Sequence, residues 1–173
     1  FCTCRPIDPS GTRTDYSGVN ARFYAPDAHR PGDLVTLPAD EAEHLTRVLR
    51  LKAGDALRVF NGHGREFDAS VEEAGRDGVR VRLGDFAEAA PEARVAITLA
   101  QAVLKGDKMD DVVRDATMMG AAAIQPIITT RTEVTRGSLV RGRRRERWER
   151  IAVSSVKQCG RATVPRVLDA IEF

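Results

Sequence analysis

The sequence has 173 residues, of which 42% are hydrophobic and 30% are charged, and its formal net charge is +2. This composition predicts a soluble globular protein with one ordinary domain or two small ones. No apolar run approaches the ~20 residues of a membrane span, and no signal peptide is recognisable, so we expect a cytoplasmic protein. The three cysteines, Cys2, Cys4 and Cys159, are too unevenly spaced for a disulfide framework or a zinc site, and we expect reduced thiols.

Residues 1–20 are polar, rich in turn-forming residues and aperiodic. We expect a disordered extension or a mis-assigned start that lies outside the fold. The pattern then changes to short strands with a period of two, and the segment Asn61-Gly62-His63-Gly64 predicts a hairpin turn. Strands are predicted over residues 22–24, 33–37, 57–60, 66–71 and 79–83.

One helix is predicted to interrupt these strands. Asp40 and Glu43 have the spacing of a capping box at its start. Its predicted buried stripe consists of Ala42, Leu45, Val48 and Leu49. We therefore predict a small β-barrel with a helical insert over residues 21–88.

The low-complexity stretch of residues 87–92, AEAAPE, predicts a hinge, and beyond it the pattern becomes strand-helix-strand. The second domain is predicted over residues 93–173. Its elements, in order, are a strand over residues 95–103, a helix over 107–119, a strand over 123–129, a helix over 144–158 and a strand over 164–168.

The junction between the first strand and helix of this domain carries Lys105 and Lys108, with Asp107 predicted as the helix N-cap. Backbone donors and two ammonium groups at a helix start suit a phosphate or another anion. Lysines beside a helix start are also commonly solvated. Local reasoning favours this second interpretation.

Charge is strongly segregated along the chain. Residues 27–92 carry nine basic and fourteen acidic side chains, whereas residues 131–166 carry eleven basic and three acidic ones, and ten of these eleven are arginines. The run over residues 141–150, RGRRRERWER, predicts either a solvated helix face or an edge that contacts phosphates. The pair Gln158 and Arg161 follows at the helix exit, where a C-cap is the simplest interpretation.

The common catalytic motifs are absent from the sequence: it has no nucleophile elbow, P-loop, GxGxxG or HExxH. His29, His44 and His63 lack metal-ligand spacing, so we expect no metal site.

Five segments together resemble a known family: RFYAP from Arg22, HLTRVLRLKAGD from His44, VFNGHGREFDASV from Val59, LKGDKMD from Leu104 and QCGRATVPRV from Gln158. From about residue 22 to residue 173 the sequence resembles the ribosomal small subunit methyltransferase E family. These enzymes methylate N3 of a uridine in 16S rRNA and belong to the SPOUT class of knotted methyltransferases.

The resemblance implies an α+β architecture, in which a PUA-like barrel that engages RNA precedes the first half of an α/β SPOUT domain. It also implies S-adenosylmethionine as cofactor, 16S rRNA of the small ribosomal subunit as partner, and a homodimer. Lys105 and Lys108 become candidates for stabilising the uracil oxyanion. The resemblance further implies an RNA-binding set: Arg22, His44, Arg47, Arg50, Arg131, Gln158 and Arg161.

The family's glycine-rich GPEGG-like segment and its later Leu-Gly-x-Arg segment, which form the knot, have no counterpart before Phe173. We therefore expect no cofactor-binding residues in this chain, no methyl transfer by it alone, and exposed apolar edges in its second domain. Three positions also depart from the family pattern, which often has lysine at Asp115 and glutamate at Met118 and Lys157.

An alternative explains the basic segment and the missing knot equally well: a non-catalytic RNA-binding module or an inactive fragment. A DNA-binding role for the arginine-rich helix is disfavoured, because the sequence has no helix-turn-helix pattern.

Overall fold

The computed structural model describes residues 21–75 and 78–173, with the backbone alone at residues 136 and 140. The predicted N-terminal extension, with Cys2 and Cys4, lies outside the described residues. The part of the chain that is described forms two sheets with separate cores, over residues 21–87 (the N-terminal unit) and 93–173 (the C-terminal unit). No helix in these residues is long and apolar enough to cross a lipid bilayer.

The N-terminal unit is a five-stranded sheet in the order β1-β3-β4-β5-β2, packed around a hydrophobic core in which Phe23, Leu45 and Phe67 are fully buried. β1 runs parallel to β3, and the other neighbours are antiparallel. All five predicted strands are present, because alternate side chains of each face this core. The strands are β1 Arg22–Tyr24, β2 Leu34–Thr36, β3 Ala56–Phe60, β4 Glu66–Gly75 and β5 Gly78–Ala87.

The helical insert differs from its prediction. Helix α1 covers Ala39–Glu43 and continues into a π-helical segment over His44–Leu49, and its start has no side-chain cap, so the predicted capping box is wrong. A π-helix closes i→i+5 hydrogen bonds and has more residues per turn than an α-helix, which rotates side chains away from the α-helical stripe. Val48 is consequently 64% exposed, although Leu45 is fully buried as predicted.

The hairpin between β3 and β4 is confirmed. The Asn61 side-chain oxygen accepts hydrogen bonds from the backbone nitrogens of His63, at 2.8 Å, and Arg65, at 3.2 Å. The buried Asn61 amide also donates to the Ala28 carbonyl. Gly62 lies against the Tyr24 ring with a φ of +79°, so this position requires a residue without a side chain.

The C-terminal unit has parallel strands β6 Thr98–Ala102, β7 Ala123–Ile128 and β8 Arg166–Val167, and β9 Ile171–Glu172 also pairs with β7. Helices α2 (Lys108–Met118), α3 (Arg136–Arg141) and α4 (Arg144–Cys159) surround a core that contains Met109, Ile124 and Trp148. The predicted strands and helices of this unit are confirmed. The first and last predicted strands are shorter than expected, because only the residues of β6 and β8 pair with β7.

The two units are joined through α4, which packs on the outer face of the first sheet. Phe60 and Val156, both fully buried, form an apolar cluster there with Ala162. Phe60 is adjacent to Val59 in β3 and lies on the opposite face of the sheet, where the cover supplied by α4 explains its burial. On the remaining surface of the C-terminal unit, large apolar side chains stay exposed, among them Ile97 at 61% and Met119 at 86%.

We predict that Gly62→Ala lowers the free energy of unfolding by about 2 kcal/mol or more, because the new Cβ would lie 2.9 Å from Cε2 of Tyr24 in a left-handed backbone conformation. Gly54→Ala is the matched control, since Gly54 also has a positive φ but no neighbour within 4 Å. Gly54→Ala should lower the free energy of unfolding by about 1 kcal/mol. Urea denaturation measures both values, and equal losses in the two variants would contradict the predicted contact.

Candidate functional site

A cleft of about 1080 Å³ separates the two units. Its first wall belongs to the N-terminal unit and includes Tyr24, His44 and His63. Its second wall is α4, whose 16 residues span about 24 Å, together with residues 164–168, which contain β8. The cleft therefore runs along a whole helix between two independently packed sheets.

Helical periodicity explains why α4 lines this cleft. Trp148, Ala152 and Val156 recur every four residues and are buried in the protein. The polar residues of an adjacent face, including Arg150, Ser154, Lys157 and Gln158, are left to line the cleft. One amphipathic helix thus closes a core on one side and presents polar groups on another.

Most charges of the cleft are paired with one another. Arg145 contacts Glu149 at 3.0 Å and Asp169 at 2.7 Å, and the hydrogen bonds that it donates to these carboxylates, to Asp169 first, raise the pKa of Arg145 above its ordinary value. Lys157 contacts Glu41 at 2.7 Å. Among the described residues, no carboxylate lies at salt-bridge distance from two other cleft arginines, Arg150 and Arg166.

Lys157 is one of the positions at which this chain departs from the family pattern. Its ammonium lies between the Glu41 carboxylate, in α1, and the face of the Phe23 ring, 5.2 Å from the ring centroid. A glutamate at this position would meet Glu41 as a like charge. The lysine therefore links α4 to the N-terminal unit in this chain.

The structure divides the residues implied by the resemblance into separate groups. His44 and Gln158 line the cleft. Lys105, Lys108 and Arg131 are exposed and follow the carboxyl ends of β6 and β7, the edge at which parallel α/β sheets bind ligands. The Lys105 ammonium lies 2.8 Å from the Glu133 carboxylate.

The helix start beside Lys108 is built differently from its prediction. Asp107 occupies the N-cap position of α2 but makes no side-chain cap hydrogen bond. Its carboxylate instead accepts a hydrogen bond of 3.0 Å from Arg147 of α4, and Arg147 also pairs with the buried Asp110. The predicted cap is therefore replaced by an ionic contact between two helices.

Two residues of the expected RNA-binding set are occupied within the protein, which corrects that expectation. Arg161 is 6% exposed, pairs with Glu92 at 2.7 Å and donates to the carbonyl oxygens of Thr117 and Ala121. The Arg22 side chain is 12% exposed and binds Glu66 at 2.7 Å. Neither guanidinium is free to contact an RNA phosphate.

Arg47 and Arg50 are exposed at the π-helical segment and do not line the cleft. Arg47 contacts Glu43, one turn earlier, at 2.6 Å. Both remain candidates for RNA contact outside the cleft.

Sequence reasoning missed several cleft residues, above all Tyr24, His63 and Arg166. Arg150 was included in the basic run, and the recurrence of polar residues every three or four positions from Arg150 to Lys157 could have separated a cleft face from the rest of that run. No sequence signal indicates that Tyr24 and Arg166 line the same cleft, since 142 positions separate them.

Comparisons with known proteins agree with this division of the chain. Residues 37–84 match the family described as RNA methyltransferase PUA domain, and residues 91–173 match the RNA methyltransferase domain. The ribosomal RNA small subunit methyltransferase E of Rickettsia conorii is 32% identical over 151 residues, which cover 87% of this chain and 59% of the relative. The resemblance to the ribosomal RNA small subunit methyltransferase E family is confirmed.

Solved structures show the same fold of a PUA-like unit followed by a SPOUT methyltransferase unit. The methyltransferase E of Neisseria gonorrhoeae bound to S-adenosylmethionine has a TM-score of 0.80 and 31% identity, over 88% of this chain and 62% of its own. A Legionella pneumophila protein with bound S-adenosylmethionine has a TM-score of 0.82 and 32% identity, over 89% of this chain and 64% of its own. The chain spans about half the length of the curated relatives it matches.

The lining of this cleft differs from that of a typical site for S-adenosylmethionine in its number of charged side chains. Sites for nucleoside cofactors are mostly apolar cavities with a few placed polar groups. Nine of the residues lining the cleft carry a formal charge, and the cleft is a long channel between units. The charged lining residues are Asp40, Glu41, Arg143, Arg145, Glu146, Glu149, Arg150, Lys157 and Arg166.

We predict that the Tyr24 phenol titrates above its ordinary pKa of 10.0, because burial, and then the charge of Asp27, raises its pKa. Ultraviolet titration of the wild type against Tyr24→Phe isolates this transition. Because the folded pKa is the higher one, the contribution of Tyr24 to stability is complete below the unfolded pKa and is lost as pH rises through the folded pKa. Deprotonation of Tyr24 at or below its ordinary pKa would contradict its burial.

Proposed function

We propose that the protein is an S-adenosylmethionine-dependent methyltransferase that modifies N3 of a uridine in 16S rRNA of the small ribosomal subunit. The resemblance to the family and the names of its relatives support this reaction. The resemblance also supports a homodimer and a cytoplasmic location. Within this activity, we assign RNA binding to the cleft between the two units.

The observation that carries this assignment is the presence of two arginines on one wall of the cleft, Arg150 and Arg166, that have no carboxylate at salt-bridge distance within residues 21–75 and 78–173. A guanidinium without a carboxylate partner offers a fork of donors that matches a phosphate. Arg150 and Arg166 are placed to bind the RNA backbone, while Tyr24, His44 and His63 on the opposite wall offer rings to unstacked bases. The cleft therefore suits a single-stranded segment of RNA.

The same arrangement brings the cleft close to the proposed reaction centre. Arg143 and Arg145, at the start of α4, line the cleft, and Arg147 contacts Asp107 at the start of α2. Lys108 is the next residue after Asp107. RNA that follows α4 toward its N-terminus would therefore reach Lys105 and Lys108 at the carboxyl edge of the parallel sheet.

Methylation at N3 of uracil requires removal of a proton from a weakly acidic nitrogen. The negative charge that develops on the base is shared with its carbonyl oxygens, and an ammonium group aimed at them stabilises it. Lys105 and Lys108 are proposed for this role, and Arg131 for contact with a neighbouring phosphate. S-adenosylmethionine, when bound, would supply the methyl group and leave as S-adenosylhomocysteine, while the N3 proton passes to water.

A second candidate for this stretch of chain is RNA binding without methyl transfer. It is favoured by the cleft itself, which is formed entirely by residues described here. The two candidates share the RNA surface and differ only in donor binding.

We predict that Arg150→Ala and Arg166→Ala each weaken binding of a fluorescein-labelled single-stranded oligouridylate of about 12 nucleotides. Fluorescence anisotropy at a series of salt concentrations should show that each variant lowers the slope of log affinity against log salt by about 0.7, the value for one lost phosphate contact. Arg94→Ala is the matched control, since Arg94 is exposed outside the cleft. Unchanged slopes in both cleft variants would refute the assignment of RNA to the cleft.

We predict that this chain alone binds S-adenosylmethionine more weakly than micromolar and transfers no methyl group to 16S rRNA, because its cleft does not suit the donor. Isothermal titration calorimetry measures the binding, and incorporation of a radiolabelled methyl group measures the transfer. A full-length relative with bound donor, such as that of Neisseria gonorrhoeae, is the positive control. Micromolar binding by this chain would overturn the prediction.

A further inference from the structure

Arg22, at the start of β1, uses every donor of its guanidinium to hold two parts of the protein together. Nε and Nη2 donate to the two oxygens of Glu66, at 2.9 Å and 2.7 Å. Nη1 donates to the carbonyl oxygens of Val156, at 2.9 Å, and Lys157, at 3.0 Å, and Nη2 donates to that of Arg161 at 2.8 Å. The guanidinium also lies over the Phe60 ring, 4.9 Å from its centroid.

The carbonyl oxygens that Arg22 binds belong to the end of α4 and the turn after it. The last four carbonyls of a helix have no partner within the helix, and the helix dipole concentrates negative charge there. The Arg22 guanidinium donates hydrogen bonds to carbonyls at this end of α4 and places a positive charge at the negative end of the helix dipole. Glu66, whose side chain is 2% exposed, balances that charge. An apolar residue at position 22 would remove the donors that Arg22 supplies to Glu66 and to the carbonyls of Lys157 and Arg161, whereas the Val156 carbonyl would keep the Gly160 N–H.

This contact acts directly on the wall of the cleft. Arg22 holds the main chain of Lys157, and the side chains of Lys157 and Gln158 line the cleft. Arg161, whose carbonyl Arg22 also binds, extends its own guanidinium to the end of α2 and to Glu92 in the linker. The end of α4 is therefore tied to the first sheet and to the second helix through two adjoining arginines.

We propose that Arg22 is a positioning residue for RNA binding, which holds the end of α4 against the first sheet and thereby sets the width of the cleft without touching RNA. This proposal rests on the proposed function of the cleft. It assigns Arg22 a role that differs from the RNA contact implied by the resemblance. It also differs from a purely stabilising role, in which affinity of the folded protein would not depend on Arg22.

The test compares two double variants, Arg22→Met with Glu66→Met and Arg82→Met with Glu72→Met. The first removes both charges of the buried pair, so that neither is left unpaired, and replacement of a buried pair by apolar side chains is commonly tolerated. The second removes an exposed forked pair of the same chemistry on the first sheet, away from α4. Arg22→Lys is a milder variant, which keeps the charge but has at most three donors. Circular dichroism establishes that each variant is folded.

Two measurements are made on the folded variants. Pulsed electron paramagnetic resonance between spin labels at Asp85→Cys and Asp115→Cys, in a background without the native cysteines, reports the distance between the units. Both labelled positions are exposed. Anisotropy with the labelled oligouridylate reports affinity and its salt dependence.

For the Arg22 and Glu66 double variant we expect a shifted or broadened distance distribution, an affinity lowered by about tenfold, and a salt slope lowered by more than the 0.7 of one contact. Arg22→Lys should lie between it and the wild type, and the Arg82 and Glu72 variant should match the wild type. Unchanged distances with unchanged affinity would show a stabilising role only and overturn the proposal. Unchanged distances with a slope lowered by about 0.7 would indicate direct phosphate contact and also overturn it.

Failure of the proposed function gives a different result. If the wild-type protein does not bind the oligouridylate, the cleft is not an RNA site, whereas the distance measurement still shows whether Arg22 holds the two units.

Discussion

One ion pair, Arg22 with Glu66, is central to the contact between the first sheet and the end of α4. Leaving one partner of such a pair without the other costs about 3–5 kcal/mol, whereas replacing both by apolar groups often costs nothing. The pair is therefore better explained by orientation than by stability. Phe60, Val156 and Ala162 supply non-directional packing between the units. Arg22 adds a directional contact, as Lys157 does with Glu41, and its forked donors reach Glu66 and the end of α4 together.

The arginine-rich segment does not act as one positive surface. Arg161 is buried as a tie within the C-terminal unit, and Arg145 and Arg147 are paired with carboxylates of neighbouring elements. Arg150 and Arg166 are left with their donors available in the cleft. The net charge of a segment therefore overstates the number of arginine side chains that can bind a phosphate. The ion pairs within the protein decide which arginines have free donors.

Periodicity predicted most of the fold because the buried residues of each element repeat at its own period. The helix from Arg144 and the alternating strands were recognisable for this reason. The π-helical segment at His44–Leu49 was not, since its hydrogen bonding shifts the stripe without any residue that marks the change. The resemblance selected Arg22 and Arg161 for RNA contact, yet their partners lie 40 to 139 positions away, and no local pattern distinguishes a buried arginine from an exposed one.

Two carboxylates at the start of α2 connect the cleft to the electrostatics of the proposed reaction centre. Asp107 and the buried Asp110 lie beside Lys108, and their charges alone would offset the positive potential of the lysines there. Arg147 of α4 contacts both carboxylates and offsets one of their two negative charges. At the same edge of the sheet, Glu133 pairs with Lys105, whereas Lys108 follows Asp107 directly. Because α4 carries Arg147 and also lines the cleft, a shift of α4 would alter both the width of the cleft and the potential at the proposed reaction centre.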